Sequence, residues 1–464
     1  VLLGDINGDG KVDGLDANVI AMNFLDFPGG GAVLADGDLN GDGKVDGLDA
    51  NVISINFLNM LPATVAPETV APSPTATISP AVPADLTATD LTAVDLTAAS
   101  YDLGALTGTD GFVLNGIDSP DYSGRSVSSA GDVNGDGFDD LLIGAYLGNS
   151  LNGATYVVFG AAGGFAASFD LASLDGSNGF VLNGADTVDF SGRSVSSAGD
   201  INGDGFADLI IGAFLAARGD NPHPYGESYV VFGAAGGFAP SLDLATLNGT
   251  NGFVLEGIDA GDHAGRSVSS AGDVNGDGFD DLLISAYAAD PGGRENAGET
   301  YVVFGHAGGF AASFDLSTLN GTNGFVLNGI DSPDASGFSV STAGDHNGDG
   351  YADLLIGAPL ASGYISATYV GFGAAEGIAA SFDLSTLDGT NGFVLNGIDF
   401  DDESGHSVSS AGDVNGDGFD DLLIGAYRRN ALAGETYVIF GAASGFAAGF
   451  DLSTLNGTNG FVLS

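Results

Sequence analysis

The sequence predicts a mainly β protein in which a β-propeller of repeated four-stranded units follows a small α-helical module and an extended linker. Residues 101–464 repeat one segment at intervals of 68, 73, 72 and 68 residues. Residues 1–61 contain an internal duplication, and residues 62–100 hold six of the 14 prolines and no glycine. Long sequence periods of this kind indicate a repeat architecture, here preceded by segments of different character.

The predicted helical module, residues 1–61, consists of two matching halves. Asp5–Leu25 and Asp38–Leu58 align almost residue for residue at an offset of 33. Each half is an acidic loop followed by a short amphipathic segment. The apolar residues of these segments recur at helical spacing and are predicted to pack together as a small core: Val19, Ile20, Phe24, Val52, Ile53 and Phe57.

Residues 62–100 are predicted to form an extended, semi-rigid spacer. Proline is frequent there, and Asp-Leu-Thr-Ala recurs with a period of five from Asp85, Asp90 and Asp95. Such composition favours polyproline II conformation over a packed core. Thr and Ser beside Pro are also typical of O-glycosylated stalks, so glycans are an expected modification.

Each unit of the array in residues 101–464 contains four predicted strands. In the first unit these are Ser126–Ala130, Leu141–Ala145, Thr155–Phe159 and Phe180–Asn183, all bounded by Gly and Asp. Four-stranded units repeated radially are the pattern of a β-propeller.

The number of blades and their closure stay open, because one segment occurs more often than the others. Asp-Leu followed by Gly-Phe-Val-Leu occurs six times, first at Asp102–Leu114 and last at Asp451–Leu463, around five acidic loops. Five blades either close a small ring or form an open array. An N-terminal strand completes the last blade of a ring, and the same strand offered to a neighbouring molecule would link molecules.

Seven acidic loops have the spacing of calcium ligands. Five of them read Asp-x-Asn-Gly-Asp-Gly-(Phe/Tyr)-(Asp/Ala)-Asp. Carboxylates at positions 1, 5 and 9, an amide oxygen at position 3 and a backbone carbonyl at position 7 suit a hard cation, and Gly at position 6 permits the turn. The sequence therefore predicts about seven Ca²⁺ sites.

The predicted ligands follow from that spacing. In the N-terminal module they are Asp5, Asn7, Asp9, Lys11, Asp13 and Asp16, then Asp38, Asn40, Asp42, Lys44, Asp46 and Asp49. In the array they are Asp132, Asn134, Asp136, Phe138 and Asp140; Asp200, Asn202, Asp204, Phe206 and Asp208; Asp273, Asn275, Asp277, Phe279 and Asp281; Asp345, Asn347, Asp349, Tyr351 and Asp353; and Asp413, Asn415, Asp417, Phe419 and Asp421. Asp16 and Asp49 also stand where a helix N-cap is expected.

The strongly negative net charge limits the partners that the chain can bind, and the predicted calcium sites indicate where it is located. Lys plus Arg is 9 against 61 Asp plus Glu, which gives a formal net charge of −52. Such a chain repels nucleic acid and anionic membranes, and seven Ca²⁺ would reduce the charge from −52 to roughly −38. No apolar run is long enough for a membrane-spanning helix. Sites of this kind fill where calcium is millimolar, so we expect an extracellular or cell-surface protein with a processed or partial N-terminus.

The sequence predicts no catalytic site. The acidic loops recur and commit their carboxylates to the ion, so we interpret them as structural. The five histidines are predicted to be solvated loop residues: His223, His263, His306, His346 and His406. No nucleophile elbow, phosphate loop or nicotinamide fingerprint in strand–helix context occurs.

The Asn-Gly-Thr and Arg-Gly-Asp motifs of this chain are not interpreted as glycosylation or receptor-binding sites. Asn248, Asn320 and Asn456 begin Asn-Gly-Thr sequences that match the N-glycosylation acceptor, but other copies replace the Asn, so a tight turn is predicted. Arg218-Gly219-Asp220 is attributed to chance in a chain rich in Gly and Asp.

The loop-plus-helix duplication of residues 1–61 resembles a type I dockerin, which is similar to an EF-hand without its entering helix. The resemblance implies calcium binding and docking to a cohesin module. The loop positions that often carry recognition in dockerins hold Gly14-Leu15 and Gly47-Leu48 here, in place of a hydroxylated pair. This departure argues against a standard cohesin partner and leaves a duplicated docking face.

The array resembles the FG-GAP repeats of integrin α-chain propellers and their bacterial relatives. Ser336-Gly337-Phe338-Ser339 and Ile356-Gly357-Ala358-Pro359 around the Asp345 loop carry the clearest likeness. Other copies replace the Phe by Arg125, Arg193, Arg266 or His406, and the Pro by Tyr146, Phe214, Tyr287 or Tyr427. The resemblance implies a propeller stiffened by calcium, in a protein that adheres or binds.

These observations predict an extracellular, non-enzymatic, calcium-dependent structural or adhesive protein. The leading hypothesis is a head-to-tail filament, in which the partner is another copy of the chain. The alternative is a cell-surface binding module that recruits a cohesin-like protein or a glycan. A third hypothesis is an accessory chain of a hydrolase, because dockerins often accompany glycan-degrading enzymes.

Overall fold

A computed structural model of the chain describes residues 103–217, 223–375, 379–443 and 446–464. These residues lie in one compact unit, Asp102–Ser464. Their architecture is almost entirely β, with five similar sheets in chain order. The prediction of a mainly β array is confirmed, whereas the predicted dockerin-like module and linker lie outside the described residues.

The four predicted strands of the first unit are present within one or two residues of their expected bounds. We call each four-stranded antiparallel sheet, together with the loops between its strands, a blade and number the blades 1 to 5 in chain order. In blade 1 each of the four strands pairs in antiparallel orientation with the next one along the chain. Alternation of apolar residues, with Gly and Asp turns between them, accounts for this meander.

The strands have the following bounds. A first strand, β1 (Val113–Asn115), precedes blade 1. Blade 1 and its loops contain β2 (Ser126–Gly131), β3 (Asp140–Ala145), β4 (Ala154–Val158), β5 (Ser168–Asp170) and β6 (Gly179–Asn183). Blade 2 contains β7 (Ser194–Gly199), β8 (Asp208–Ala213), β9 (Glu227–Val231), β10 (Ser241–Asp243) and β11 (Gly252–Glu256). Blade 3 contains β12 (Val268–Gly272), β13 (Asp281–Ala286), β14 (Glu299–Val303), β15 (Ser313–Asp315) and β16 (Gly324–Asn328).

Blades 4 and 5 repeat the same order. Blade 4 contains β17 (Ser339–Gly344), β18 (Asp353–Ala358), β19 (Ala367–Gly371), β20 (Ser381–Asp383) and β21 (Gly392–Asn396). Blade 5 contains β22 (Ser404–Gly412), β23 (Asp421–Ala426), β24 (Glu435–Ile439), β25 (Gly449–Asp451) and β26 (Gly460–Leu463).

Helices in the described ranges are short. Two α-helical turns are α1 (Ala361–Tyr364) and α2 (Arg429–Leu432). The 3₁₀ turns are Leu103–Ala105, Leu171–Ser173, Leu244–Thr246, Pro291–Gly293, Leu316–Thr318, Leu384–Thr386 and Leu452–Thr454. Among the residues described, none of these helices has the length and apolar character that a membrane crossing requires.

A short parallel strand ties each blade to the next, and sequence reasoning did not predict it. β10, which lies between the third and fourth strands of blade 2, pairs in parallel with β6 of blade 1. The same pairing links blades 2 to 3, 3 to 4 and 4 to 5. Asp243 ends β10 and caps the following 3₁₀ turn, because its side chain accepts a hydrogen bond from the amide of Ala245.

The hydrophobic core lies between consecutive blades. Each of four core clusters combines residues of two neighbouring blades. Between blades 1 and 2, for example, the ring of Phe180 stacks on that of Phe238 with centroids 4.2 Å apart. The first strands of neighbouring blades also lie side by side, which is the arrangement of propeller blades around an axis.

Within the described residues, the array is open at both ends. Val127 of blade 1 is 66% exposed, whereas Val195 at the same position of blade 2 is 5% exposed. At the other end, Phe461 of blade 5 is 38% exposed, whereas Phe180 of blade 1 is fully buried. Of the two arrangements that the sequence left open, the structure has the open array.

Truncating the same phenylalanine at an internal junction, between blades 1 and 2, and on the open face of the last blade should have unequal effects. Phe180→Ala removes a stacked, fully buried ring, so we expect it to lower the free energy of unfolding by about 3–5 kcal/mol. Phe461→Ala removes a partly exposed ring and should cost about 1 kcal/mol or less. Denaturant unfolding of dilute protein in millimolar calcium measures both. Equal losses would contradict the open array.

Candidate calcium sites at the blade junctions

Each acidic loop of the array is shaped by the carboxylate at its first position. In blade 1, Asp132 Oδ1 accepts hydrogen bonds from the amides of Gly135 and Asp136 at 2.7 and 3.1 Å, and its Oδ2 accepts one from Gly137 at 2.9 Å. All five loops repeat the bonds to the amides of positions 5 and 6. The fold therefore brings positions 1 to 6 around one point.

The predicted glycine turn at position 6 is present. Gly137 has a φ of +89°, and its counterparts Gly205, Gly278, Gly350 and Gly418 lie between +90° and +94°. Residues with a Cβ rarely adopt this conformation, so glycine at this position follows from the turn itself.

The carboxylate at position 9 is anchored inside the blade. Asp140 is fully buried; its Oδ1 accepts a hydrogen bond from the amide of Gly160 at 2.8 Å, and its Oδ2 accepts one from Val133 at 3.1 Å. The equivalent side chains in the other blades are also fully buried: Asp208, Asp281, Asp353 and Asp421. These residues connect each loop to the base of its own sheet.

Burial has an electrostatic consequence at position 9. It raises the pKa of Asp140 to about 6, that of Asp353 to about 7, and those of Asp208 and Asp281 to about 8. Backbone hydrogen bonds oppose this shift, and the other loop carboxylates add to it. A divalent cation beside such a group favours its ionised form.

The donor set fits calcium. Every predicted ligand of the array contributes an oxygen atom, from a carboxylate, an amide or a main-chain carbonyl, which is the chemistry that Ca²⁺ prefers. In the described ranges, groups of three or more His, Cys, Asp or Glu side chains at metal-binding distance are not found. The fit therefore depends on the Asn and carbonyl oxygens as well as on the carboxylates. Bound calcium would supply positive charge that offsets the repulsion between the loop carboxylates.

The loops also form the contacts between blades. The amide of Ala207, at position 8 of the second loop, donates to the carbonyl of Asp132 in the first loop at 3.1 Å. The amide of Ala234 donates to the carbonyl of Val133 at 2.9 Å. The ring of Phe206 covers Gly135 so closely that a Cβ at that glycine would lie 2.3 Å from it.

The same contacts recur at each of the other junctions. Position 8 donates to position 1 of the preceding loop through Asp280 and Asp200, Ala352 and Asp273, and Asp420 and Asp345. Position 2 of the preceding loop accepts from the counterparts of Ala234: His306, Ala374 and Ala442. The shape of each loop therefore controls the position of the next blade.

Three of the five histidines that were predicted to be solvated loop residues instead pack against neighbouring residues. His346, at position 2 of the fourth loop, is fully buried, and its Nδ1 lies 2.7 Å from the carbonyl oxygen of Asp420. Burial lowers its pKa. The prediction was wrong because this position faces the next blade in blades 1 to 4, which the sequence alone does not show.

The other two take part in a row of aromatic and cationic side chains. His263 lies between Phe214 and Tyr287, with ring centroids 5.8 and 5.9 Å away. His406 lies against Phe338 at 4.7 Å and Tyr427 at 4.5 Å. His406, Phe214, Tyr287 and Tyr427 stand at positions where the repeats depart from Phe and Pro, so substituted residues take part in contacts across blades; His263 lies three residues before such a position, which Arg266 occupies.

Arginines continue this row. The guanidinium of Arg193 lies 5.3 Å from the ring centroid of Tyr146, and that of Arg266 lies 5.0 Å from that of Phe338. Cation–π contact of this kind adds to the cohesion of neighbouring blades. Sequence comparison could have suggested this pairing, because the repeats that replace the Phe of the motif by Arg or His also replace its Pro by Tyr or Phe.

The Asn-Gly-Thr motifs form tight turns, as predicted. Asn248 Oδ1 accepts hydrogen bonds from the amide and hydroxyl of Thr250 at 3.0 and 2.5 Å. Asn320 and Asn456 make the same bonds. The Arg218-Gly219-Asp220 motif lies outside the described residues, and its interpretation stays a prediction.

Family models match both parts of the chain. The dockerin type I domain matches residues 3–75, which extends past the predicted end of the module at residue 61. The FG-GAP repeat matches residues 123–158, 191–230, 264–303, 336–374 and 404–439. Each of these five segments contains one acidic loop and the strands on either side of it.

Integrin α chains are similar to the array. The chain is 31% identical over 244 residues to integrin alpha-5 of Xenopus laevis, which is 51% of this chain and 20% of the relative. It is 30% identical over 245 residues to integrin alpha-V of Gallus gallus, again 51% of this chain and 20% of the relative. The similarity to integrin alpha-PS2 of Drosophila melanogaster is 28% over 245 residues, 52% of this chain and 16% of the relative. The chain thus matches about a fifth of their length.

The fold and the acidic loops define a calcium-binding repeat protein. More particularly, the chain contains a dockerin type I domain and five FG-GAP repeats and is similar to integrin α chains in the repeat region. Calcium binding is a property of both kinds of domain.

Removing the first carboxylate of one loop should remove one calcium ion. Asp200→Ala deletes a ligand and the acceptor of three loop amides, so the variant should bind one Ca²⁺ fewer and lose about 2–4 kcal/mol of stability in millimolar calcium. Equilibrium dialysis with metal analysis counts the ions. Asp139→Ala is the matched control, because it is exposed at position 8, where other repeats have Ala207 and Ala352. Equal calcium content in both variants would contradict the assigned ligands.

Calcium-free protein should become less stable as the pH rises from 6 to 8. The pKa values of Asp140, Asp353, Asp208 and Asp281 lie above the value of about 3.9 in an unfolded chain. Folding therefore favours their protonated forms, and this contribution, complete below about pH 4, is lost as the pH rises through 6 to 8.

Thermal unfolding at pH 6, 7 and 8, with EGTA and with calcium, measures this effect. Calcium should reduce the decline, because the ion stabilises the ionised carboxylates. Asp189 and Asp262, whose pKa values burial raises to about 7, lie outside the loops and set a calcium-independent background. The same decline with and without calcium would refute the coupling.

Proposed function

We propose that the chain is an extracellular, calcium-loaded structural or adhesive protein whose FG-GAP repeats form a propeller-type array. The observation that carries the proposal is the position of the acidic loops, because each of the first four binds the next blade through main-chain hydrogen bonds. Calcium that shapes such a loop stiffens the whole array. Similarity to integrin α chains and the dockerin type I domain support an adhesive or binding role outside the cell.

The proposed calcium load is about seven ions per chain, five in the array and two in the dockerin type I domain. The spacing of ligands is the same in all seven loops. Full loading would offset part of the net charge of −52 and reduce the repulsion that opposes folding and association.

The proposed role is non-enzymatic. In the array, the carboxylates at positions 1 and 9 accept hydrogen bonds from backbone amides of their own blade, as Asp200 and Asp208 do. Groups held in this way position a loop and an ion. The repetition of the arrangement in five blades also suits a structural task better than catalysis, which needs one site.

The partner that we propose is another copy of the chain, bound head-to-tail. The chain has end modules of different kinds, a dockerin type I domain at one end and an array with an exposed last blade at the other. A contact between unlike surfaces repeats without closing and produces an open filament. The Pro-rich segment 62–100 would give such an assembly reach and carry the proposed O-linked glycans.

The dockerin type I domain favours a second candidate. Domains of this family dock to cohesin modules, so a cohesin-like protein, or a cell-surface glycan reached through it, is the alternative partner. Gly14-Leu15 and Gly47-Leu48 at the recognition positions make the specificity different from that of dockerins with a hydroxylated pair.

Electron microscopy and light scattering of the full chain distinguish these candidates. In millimolar calcium we expect filaments, which excess EGTA dissolves and renewed calcium restores. The EGTA arm is repeated with excess Mg²⁺, so that loss of calcium is separated from loss of ionic screening. Monomers under all conditions would reject self-assembly, and tight 1:1 capture of a cohesin module by those monomers would support the alternative.

A further inference from the structure

Each junction inside the array is formed by two complementary blade surfaces. One of these surfaces is exposed at each open end of the array. Blade 5 presents the surface that blades 1 to 4 each use to receive the following blade. Blade 1 presents the surface that blades 2 to 5 each place against the preceding one. This inference rests on the proposed self-assembly and assigns the surfaces that carry it out.

The face of blade 5 is apolar and uncovered. Phe461, Leu463 and Val414 are 38%, 52% and 53% exposed. Their counterparts in blades 1 to 4 are buried beneath the next blade: Phe180, Phe253, Phe325 and Phe393; Leu182, Leu255, Leu327 and Leu395; and Val133, Ile201, Val274 and His346. In blade 5 a Cβ at Gly416 would meet nothing within 4 Å, whereas at Gly135 it would strike the aromatic ring of the following loop.

The face of blade 1 is complementary to it. Val127 and Phe138 are 66% and 41% exposed. The counterparts of Val127 are buried against the preceding blade: Val195, Val268, Val340 and Val408. The counterparts of Phe138 in blades 2 to 5 each cover a glycine of the preceding loop in the way that Phe206 covers Gly135.

Hydrogen-bonding groups match as well. At the internal junctions, the amide at position 8 donates to the carbonyl at position 1 of the preceding loop, as Ala207 does to Asp132. Asp139 holds the corresponding amide on blade 1, and Asp413 holds the corresponding carbonyl on blade 5. Ala161 on blade 1 and Val414 on blade 5 hold the groups that correspond to the second bonded pair, the amide of Ala234 and the carbonyl of Val133.

One segment occupies part of this surface. β1 pairs in parallel with β5 in the register in which β6 pairs with β10, and Phe112 stacks on Phe165 at 4.2 Å as Phe180 stacks on Phe238. β1 therefore fills the place that the outer strand of a preceding blade would take. The segment Gly111-Phe-Val-Leu114, which leads into β1, is identical in sequence to β26, Gly460-Phe-Val-Leu463.

The segment that carries β1 is held more weakly than β26. Its 3₁₀ turn, Leu103–Ala105, has no buried residue, and Leu103 is 70% exposed. In contrast, β26 pairs with β24 over four residues and follows a turn whose Leu452 is buried. Replacement of β1 by an incoming β26 keeps the same apolar and main-chain contacts with β5.

We propose that blade 5 of one copy docks on blade 1 of the next, with β26 of the first taking the place of β1 of the second. The occupant is a second copy of this chain, because the contact continues four junctions already present within the molecule. Since the two surfaces differ, each added copy exposes a new end, and the product is an open filament. The junction includes two acidic loops, so its formation requires calcium.

Three single variants test the docking surfaces in millimolar calcium. Val127→Lys places a charge on the face of blade 1 and should raise the concentration needed for assembly at least tenfold. Ile365→Lys is the matched control, because it replaces an exposed apolar residue of an internal blade; it should assemble like the parent chain. Phe112→Ala weakens the stack that holds β1 and should lower the required concentration. Sedimentation velocity measures all three, and circular dichroism checks the fold.

An engineered disulfide gives an independent readout, since the chain has no cysteine. A Cβ at Gly144 would lie 3.4 Å from Val195 Cγ1, and the carbonyl oxygen of Gly192, which would be 2.1 Å from it, would have to shift. The equivalent pair between copies is Gly425 and Val127. Ser285 at this position of blade 3 shows that a side chain is accommodated there. The double variant Val127→Cys, Gly425→Cys should form a ladder of covalent oligomers on oxidation in calcium and lose it in EGTA.

The outcomes separate the two proposals. Filaments of the parent chain that Val127→Lys leaves unchanged would overturn the docking surfaces and leave self-assembly standing. A disulfide within single molecules would overturn them too, because blades 5 and 1 of one chain would then meet. Monomers of the parent chain and of Phe112→Ala at every concentration would reject the self-assembly on which the inference rests.

Discussion

The structure depends on a hydrogen-bonding arrangement in which one acidic loop both forms a candidate calcium site and holds the next blade. The carboxylate of Asp132 gathers amides of its own loop, while its main-chain carbonyl accepts a hydrogen bond from Ala207 of the next loop. A change in loop shape therefore moves a neighbouring blade. Because unscreened loop carboxylates repel one another, we propose that the cation, the loop and the junction form one cooperative unit.

Because the core lies between blades, the stability of the array is approximately a sum of contributions from each blade and from each junction between neighbouring blades. Each blade buries its apolar faces only against its neighbours in the described ranges, so an internal blade has two partners and an end blade has one. Repeat proteins commonly protect their ends with polar capping repeats. Here the ends keep the apolar residues of the internal junctions, such as Val127 and Phe461. This is why the ends are informative about function.

The sequence was sufficient to predict the strands and the loops, because both depend on local chemistry. Alternating apolar residues specify Asp140–Ala145 and its neighbours, and Gly137 at position 6 specifies the turn. β5 and its counterparts were missed because three residues in parallel pairing with a strand about 55 residues away leave no local pattern. The burial of His346 and the row of rings around His263 depend on contacts between blades, which no single repeat contains.

Hydrogen–deuterium exchange at the junctions tests most directly whether calcium holds the blades together. The amides at loop position 8, those of Ala207, Asp280, Ala352 and Asp420, are buried in junction hydrogen bonds, whereas that of Asp139 lies on the open face of blade 1. We expect the four junction amides to lose protection together when calcium is removed, with Asp139 fast in dilute protein under both conditions. Unchanged protection of the four amides without calcium would contradict the coupling between ion, loop and blade.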